Sequence, residues 1–295
     1  VYKQQIPLTQ VCFTPDHNTT LQLSRLIDTI TTSFSNTAYT LGVFLDIEKA
    51  FDKTWHEGLI YKLIKYDFPP QLVKIIACFL NNRKFRVNHN GGESSTRHIQ
   101  AGVPQGSVLA PILYNIYTSD IPTSAQVNLA LYADDTAIYT SNRNLRYARL
   151  TLQRYLNTLT KWFKDWNINT NQAKTKAIIF TRRRPTNPPR LQMHGRILPY
   201  VRAVKYLGVT LDTKLLFNEH IDDLASRGNR AIKMLMPLLR QETLSTKNKR
   251  TIYTSLVRPR LTYAAPAWTT AFKFPITKLQ RIQNKTLRMI LRQRK

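Results

Sequence analysis

Three aspartates that interrupt apolar segments restrict the fold of this chain more than any other feature. The apolar segment 41–45 stops at Asp46, and two apolar half-strands within 127–140 are separated by Asp134 and Asp135. If those strands are neighbours in one sheet, the strand end and the hairpin tip bring the three carboxylates together. The sequence therefore predicts a β-sheet in which acidic residues 88 positions apart meet at one edge.

Carboxylates gathered in this way favour a particular chemistry. Three of them at one point repel each other and stay ionised mainly where divalent cations bind them. Hard oxygen ligands suit Mg²⁺, and two such ions about 4 Å apart are the usual apparatus of in-line phosphoryl transfer. A pair of aspartates is also common in ordinary turns. The pattern alone leaves both interpretations open.

The rest of the chain indicates a mixed α+β front part followed by a helical, basic tail, with a boundary near residue 214. The predicted helices lie at 19–31, 54–65, 71–80, 107–117, 147–163 and from 218 onward. The predicted strands lie at 41–45, 127–140, 177–180 and 191–211, with a hairpin over 84–101 around Asn90, Gly91 and Gly92. These assignments rest on apolar periodicity and on the turn residues between the periodic segments.

Charge is divided unevenly between the two halves. The formal net charge is +27, of which residues 1–145 carry +1 and residues 146–295 carry +26. A self-repelling charge of this size is costly unless a polyanion neutralises it. The net charge of residues 146–295 therefore predicts that the second half of the chain forms a nucleic-acid-binding surface.

Two further classes of protein are disfavoured by composition. No apolar stretch reaches the ~18 residues of a membrane span, so no membrane association is expected. Cys12 and Cys78 lie 66 residues apart, without the paired spacing of a zinc site. We therefore expect neither a structural zinc ion nor a disulfide framework.

Five blocks resemble, in order, motifs A to E of the reverse transcriptases of non-LTR (LINE-type) retrotransposons. They are 44–52 (FLDIEKAFD), 101–111 (AGVPQGSVLAP), 131–135 (LYADD), 171–175 (NQAKT) and 204–209 (VKYLGV). Two later segments, 256–263 (LVRPRLTY) and 279–285 (LQRIQNK), resemble the thumb region of jockey- and I-type elements. A YxDD block alone is weak, whereas five ordered blocks are specific to this family.

The resemblance implies a right-hand polymerase of the α+β class, in which an antiparallel palm sheet packs on helices. The expected domains are partial fingers (1–40), a palm with interleaved fingers segments (41–213) and a basic helical thumb or connection region (214–295). The implied activity is RNA-directed DNA synthesis, with an RNA template, a DNA primer and dNTP as partners. Two Mg²⁺ ions, or Mn²⁺ in their place, are the implied cofactors. The implied location is intracellular, nuclear during integration and otherwise cytoplasmic.

The resemblance also implies roles for the acidic residues and their neighbours. Asp46, Asp134 and Asp135 match the catalytic metal ligands, and the Ile47 carbonyl is a further ligand on the nucleotide side. Lys174 matches the motif D lysine, which protonates the departing pyrophosphate as a general acid. A solvated cation beside nucleic acid is the alternative for Lys174.

Nucleotide selection is expected from two of the blocks. Phe51 lies five residues after Asp46, where the family has a bulky ring that excludes a ribose 2′-OH. Gly102 and Gly106 let the backbone approach the nucleotide closely, and Gln105 would position the incoming base or the template. An ordinary turn before a helix accounts for the glycines but not for Gln105.

Motif E implies a primer grip. Tyr206, Leu207 and Gly208 match the turn that holds the 3′ end of the primer. A β-hairpin in the core explains Tyr206 and Leu207 equally well. Both interpretations remain open at this point.

Other functions remain as alternatives. The first is a catalytically silent nucleic-acid-binding remnant; the second is an RNA-dependent RNA polymerase or a group II intron maturase. Thr14 stands where relatives often have arginine, and a chain that begins at Val1 is expected to be a fragment. The upstream fingers blocks that bind the triphosphate are missing from it, as are an endonuclease domain and a zinc knuckle.

Overall fold

The computed structural model of the chain describes residues 18–183, 188–269 and 273–291. The described helices are α1 (Thr19–Ser35), α2 (His56–Lys65), α3 (Pro70–Leu80), α4 (Leu109–Tyr117), α5 (Leu145–Asp165), α6 (Asn218–Arg240), α7 (Thr246–Ile252), α8 (Arg258–Thr262), α9 (Ala265–Trp268) and α10 (Lys273–Leu291), with a π-helical turn at Tyr253–Val257. The described strands are β1 (Tyr39–Asp46), β2 (Lys84–Phe85), β3 (Asn88–His89), β4 (Gly92–Glu93), β5 (Arg97–His98), β6 (Asn128–Tyr132), β7 (Asp135–Asn142), β8 (Lys176–Phe180), β9 (Gln192–Met193), β10 (Arg196–Ile197), β11 (Ala203–Tyr206) and β12 (Val209–Asp212).

A four-stranded antiparallel sheet organises the fold, in the order β6-β7-β1-β8. The register places Asp46, the last residue of β1, opposite Asp135, the first residue of β7. The central strands are rich in apolar residues because helices or further strands cover both faces of the sheet. The predicted antiparallel sheet packed on helices is confirmed.

Alternation along β1 sends successive side chains into two different cores. Leu41, Val43 and Leu45 face a first core that α2, α3, α4 and α5 complete. Phe44 faces a second core, formed with α1, the β11–β12 hairpin and the C-terminal helices. The sheet therefore separates one helical layer from another, and its end carries the acidic residues.

The hairpins form at the turns that the sequence predicted. Asn90 and Gly91 have φ angles of 50° and 81°, and they connect β3 to β4. These left-handed conformations match a two-residue hairpin turn, which Asn-Gly favours. Outside this pair, β2 and β5 continue the same hairpin, which therefore spans residues 84–98 of the predicted range 84–101.

A buried ion pair ties α2 to the helical layer. Lys62 is fully buried, and its ammonium lies 2.5 Å from an Asp120 carboxylate oxygen and 3.6 Å from the Trp166 ring centre. It also donates a hydrogen bond to the Tyr117 carbonyl. Desolvation lowers the pKa of Lys62 to about 8, although its partner Asp120 opposes the shift. One cation thus joins α2, the end of α4 and the end of α5.

The C-terminal region is helical, as predicted. Helices α6 and α10 pack on each other, and at Gly228 of α6 a Cβ atom would lie 2.4 Å from Leu261. The absence of a side chain at this position permits the close approach of α6 and α8. No described helix is long and apolar enough to cross a membrane.

Most predicted elements agree with the structure within a few residues at each end, but α1 shows an unexpected packing partner. Leu23, Leu26 and Ile30 of α1 lie in the second core, against the sheet.

Residues 1–17, which include Cys12 and Thr14, lie outside the described residues. The division into fingers, palm and thumb at 40 and 213 remains a prediction.

Candidate active site

The paired strand ends place two of the predicted carboxylates side by side. Asp46 and Asp135 are directly opposite in the register, where Cβ atoms are typically about 5 Å apart. By alternation both side chains lie on the same face of the sheet as Phe44 and Ala137, which belong to the second core. Asp46 and Asp135 line a cavity of about 260 Å³ on that face.

Asp134 lies next to this pair. Its carbonyl accepts a hydrogen bond of 3.4 Å from the Ile47 amide, and its side chain is exposed. The turn that presents it includes Ala133, whose φ is 55°. The sheet therefore brings all three predicted carboxylate residues to one edge, as the sequence analysis expected.

Repulsion within this group is visible in the pKa of one member. Burial raises the pKa of Asp135 to about 6, and the negative charges of Asp134 and Asp46 add to the shift. A divalent cation is the species that removes such repulsion. The negative charge of the site therefore favours the binding of a cation.

Lys174 supplies one positive charge from a loop that is fixed to β1. The Asn171 amide donates to the Asp46 carbonyl at 2.8 Å, and the Asn171 side chain accepts from the amides of Ala173 and Lys174. The Lys174 ammonium lies 3.3 Å from an Asp46 carboxylate oxygen. Because two thirds of this side chain is exposed, the contact is weak, and the lysine is free to swing away.

Metal-binding chemistry fits the residues present. Within the described ranges no three His, Cys, Asp or Glu side chains form a ready-made metal cluster. Mg²⁺ does not require one, because it is usually held by one or two carboxylates together with substrate phosphates and water. Asp46, Asp135 and the exposed Asp134 offer the hard oxygen ligands of such a site.

The segment after β1 is hydrogen-bonded to the loop before α4. The Val103 amide donates to the Phe51 carbonyl at 2.7 Å, and the Gly102 amide donates to the Thr54 carbonyl at 2.8 Å. Phe51 is half-buried, and its ring centre lies 5.0 Å from that of Tyr114 in α4. The two blocks predicted to select the nucleotide therefore form one unit.

Gly102 is required at the centre of this junction. Its φ is 88°, and a Cβ atom would lie 2.5 Å from the Asp52 carbonyl oxygen. The Gly102 carbonyl accepts from His56 Nε2 at 2.8 Å and from the Arg83 guanidinium. Neither His56 nor Arg83 belongs to a recognisable block, so no sequence pattern predicted their contacts with Gly102.

Gln105 has a partner that the sequence did not predict. Its side-chain amide donates to an Asp52 carboxylate oxygen at 2.8 Å. Gln105 is exposed, and the neighbouring Gly106 has a φ of 84° with open space where a Cβ would stand. Asp52 lies six residues after Asp46 in the same block, and this position was the available signal for its role.

The predicted primer-grip turn is formed largely by buried side chains. The Tyr206 hydroxyl donates to the Ala130 carbonyl at 3.2 Å, and its ring lies 5.3 Å from that of Phe44. Leu207 is buried as well, with a φ of 45°. Gly208 follows at a φ of 78° and completes the turn between β11 and β12. The side chains of Tyr206 and Leu207 thus hold the turn in the core.

Comparison with known protein sequences identifies the family of the chain. Residues 2–211 match the family described as reverse transcriptase (RNA-dependent DNA polymerase). The chain belongs to the reverse transcriptase family. The matched residues include all five blocks from motif A to motif E, and the C-terminal helices lie beyond them.

Relatives of this reverse transcriptase chain are enzymes of insect mobile elements. The RNA-directed DNA polymerase from mobile element jockey of Drosophila melanogaster is 38% identical over 294 residues, which are 97% of this chain and 32% of that protein. The probable RNA-directed DNA polymerases from transposon BS and transposon X-element of the same species are 36% and 35% identical, over 97% and 96% of this chain and 32% of each protein. The predicted resemblance to jockey-type elements is confirmed.

Two facts about coverage complete the comparison. The chain spans about a third of the length of these curated relatives. Among solved structures, telomerase from Candida albicans in complex with a fragment of telomeric RNA aligns with 97% of this chain and 53% of that chain, at 12% identity and a TM-score of 0.49.

Proposed function

We propose that this chain is the RNA-directed DNA polymerase domain of a retrotransposon protein. It would add dNTP to the 3′-OH of a DNA primer on an RNA template. The observation that carries the proposal is the pairing of Asp46 with Asp135, with Asp134 adjacent, at one edge of the sheet.

The carboxylates of Asp46, Asp134 and Asp135 would hold two Mg²⁺ ions, with Mn²⁺ as a substitute and the Ile47 carbonyl as a further ligand. When bound, these ions lower the barrier by stabilising the attacking and leaving oxygens of the phosphoryl transfer. The carboxylates orient the primer terminus and the triphosphate on the second-core face of the sheet. Every ligand named here comes from β1, β7 or the residues joined to them.

Lys174 would act on the leaving group. The primer 3′-OH would lose its proton to water, and its oxygen would form a bond to the α-phosphorus as the bond from that phosphorus to the pyrophosphate oxygen breaks. The Lys174 ammonium, which lies beside Asp46, would donate a proton to the departing pyrophosphate. Its exposed stem allows the short movement from carboxylate to leaving group.

The junction between Phe51 and α4 would select the sugar. Phe51 is supported from behind by Tyr114, so its ring cannot retreat easily from a ribose 2′-OH. Gln105 and the open backbone at Gly106 would face the nucleotide, with Asp52 fixing the amide. Deoxynucleotides are therefore the proposed substrates.

The β11–β12 turn would hold the primer terminus through its backbone at Gly208 and the exposed Lys205, since Tyr206 and Leu207 are buried.

We assign residues 1–40 to partial fingers, 41–213 to the palm and 214–295 to the thumb or connection region. The whole protein would work inside the cell, in the nucleus during integration and otherwise in the cytoplasm.

Primer extension on an RNA template tests the proposal. With Mg²⁺ and dNTP, the chain is expected to extend a DNA primer, and Asp134→Asn is expected to abolish extension. The matched control is Asp67→Asn, because Asp67 is exposed at a left-handed turn that asparagine also tolerates. Binding of the primer–template without any extension by the unsubstituted chain would instead indicate a silent remnant. A preference for NTP over dNTP would indicate an RNA polymerase.

A further inference from the structure

The outward side of α5 carries four exposed cations. Arg146, Arg154, Lys161 and Lys164 are all exposed, and at about 100° per residue they fall within an arc of about 80° on the helix. We call these four residues the α5 face. The opposite side of the helix is buried against the sheet through Ala148, Leu152, Tyr155, Leu156, Leu159, Trp162 and Phe163.

The α5 face and the carboxylates lie on opposite sides of the sheet. Helix α5 covers the first-core face, to which Leu41 and Val43 belong. Asp46 and Asp135 belong to the other face, with Phe44 and Ala137. A nucleic acid on the outer surface of α5 therefore cannot be the primer terminus at the carboxylates.

The β9–β10 hairpin widens this surface. The Gln153 side chain of α5 donates to the Gln192 carbonyl and accepts from the Gln192 amide, both at 2.8 Å. The Arg149 side chain donates to the Arg190 carbonyl at 3.0 Å. The second strand of the hairpin carries the exposed Arg196, which pairs with Met193 of β9. A groove of about 430 Å³ runs between the two elements.

The charge of this surface is not neutralised from within the protein. In the described ranges, none of the four residues of the α5 face takes part in an ion pair. In the C-terminal helices, by contrast, Arg227 pairs with Asp223 and Lys278 pairs with Asp222. Along residues 146–213 the sequence has only two acidic residues, Asp165 and Asp212. Uncompensated cations in a row are suited to an external polyanion.

We infer that the α5 face binds single-stranded RNA outside the catalytic cleft. From Arg146 to Lys164 the row is about 27 Å long, enough for several phosphates. Tyr147 is 63% exposed beside it and offers a ring on which an unpaired base can stack. The inference rests on the proposed function, because copying an RNA template leaves its uncopied part as a long single strand.

Two charge-reversing substitutions test whether the α5 face binds RNA independently of the catalytic cleft. In the variant Arg154→Glu/Lys161→Glu, the affinity for single-stranded RNA of about 20 nucleotides is expected to fall about tenfold or more, measured by fluorescence anisotropy. The slope of log affinity against log salt is expected to decrease by about 1.4, for two lost phosphate contacts. Extension of a primer on a template whose single-stranded overhang is only a few nucleotides long is expected to remain unchanged.

The matched control is Lys65→Glu/Lys74→Glu, which changes the net charge equally on the exposed sides of α2 and α3. Equal losses of RNA affinity in both variants would overturn the inference, since they would reflect net charge alone. An equal loss of affinity for duplex DNA in the α5 variant would overturn the assignment to single-stranded RNA. Thermal melting shows that each variant is folded. If the unsubstituted chain extends no primer while RNA binding still depends on α5, the proposed function fails and this inference stands.

Discussion

The Tyr263 hydroxyl donates a hydrogen bond of 3.0 Å to the carbonyl of Leu207, although 56 residues separate them. The same hydroxyl lies 3.3 Å from the Thr19 side-chain oxygen at the start of α1. A Cβ at Gly208 would lie 2.9 Å from the Tyr263 ring. The tyrosine therefore joins three distant parts of the chain at the proposed primer-grip turn.

Removal of this hydroxyl is expected to loosen the turn. Tyr263→Phe keeps the ring but loses the bond to Leu207, so the free energy of unfolding should fall by about 1 kcal/mol. The KM for the primer should rise severalfold with little change in kcat, because the turn positions the primer rather than the reacting groups. Steady-state primer extension measures both. Tyr61→Phe, at an exposed tyrosine of α2, is the control, and equal behaviour of the two variants would contradict the role of Tyr263.

The buried pair of Lys62 and Asp120 should respond differently to the loss of each partner. Asp120→Ala leaves a buried, uncompensated ammonium, so the free energy of unfolding should fall by about 3 kcal/mol. Lys62→Met removes the buried charge and leaves Asp120, which is a quarter exposed and still accepts from the Trp162 indole, so the free energy of unfolding should fall by only about 1 kcal/mol. Chemical denaturation near neutral pH measures both. A larger loss for Lys62→Met than for Asp120→Ala would contradict this account of the site.

His220 should make the joint between the β11–β12 hairpin and α6 sensitive to acid. Burial lowers its pKa from 6.5 to about 4, and its Nδ1 accepts from the Thr210 amide at 3.4 Å. The unfolded chain therefore binds more protons between these values, and stability falls as the pH falls from 6.5 to 4, by roughly 3 kcal/mol. In His220→Gln this component should be missing from unfolding curves across that range. The exposed His89→Gln should retain it; a loss in both variants would assign the effect elsewhere.

The ionised Asp135 side chain should lower the free energy of unfolding when no divalent ion is bound. Burial and the charges of Asp134 and Asp46 disfavour its ionised form, so Asp135→Asn should raise the free energy of unfolding by about 1–2 kcal/mol in a chelating buffer. Addition of Mg²⁺ should stabilise the unsubstituted chain and not the variant. Thermal melting with and without Mg²⁺ measures this. A variant that is less stable than the unsubstituted chain under chelation would contradict the repulsion.

Local pattern was sufficient to predict the strands, the helices and the edge where the carboxylates meet. Continuous apolar segments located β1, β6 and β7, and the aspartates at their ends were expected to meet if those strands were neighbours, which the pairing confirms. Asn90 and Gly91 determined the hairpin because few other residues adopt its turn. The strands, the helices and this turn depend on neighbours within about ten residues, whereas the meeting of the carboxylates follows from where the strands end.

Contacts between distant polar side chains were not predictable in this way. Asp52 and Gln105 are 53 residues apart, and Lys62 and Asp120 are 58 residues apart. No periodicity marks such pairs, because they form only after the elements have packed. A lysine in an amphipathic helix suggests an exposed residue, whereas the aromatic rings around Lys62 come from other helices. The burial of Tyr206 and Leu207 was one of two open alternatives for the same reason.

The most direct test of the central claim is Mn²⁺ binding, measured by electron paramagnetic resonance during titration of the chain. If Asp46, Asp134 and Asp135 share divalent ions, the unsubstituted chain and the Asp67→Asn control will bind Mn²⁺ that Mg²⁺ displaces, and Asp46→Asn will not. If Asp46→Asn binds Mn²⁺ as well as the unsubstituted chain does, and Mg²⁺ displaces it, the claim is contradicted. The claim is also contradicted if the unsubstituted chain binds no Mn²⁺ when primer–template and dNTP are present.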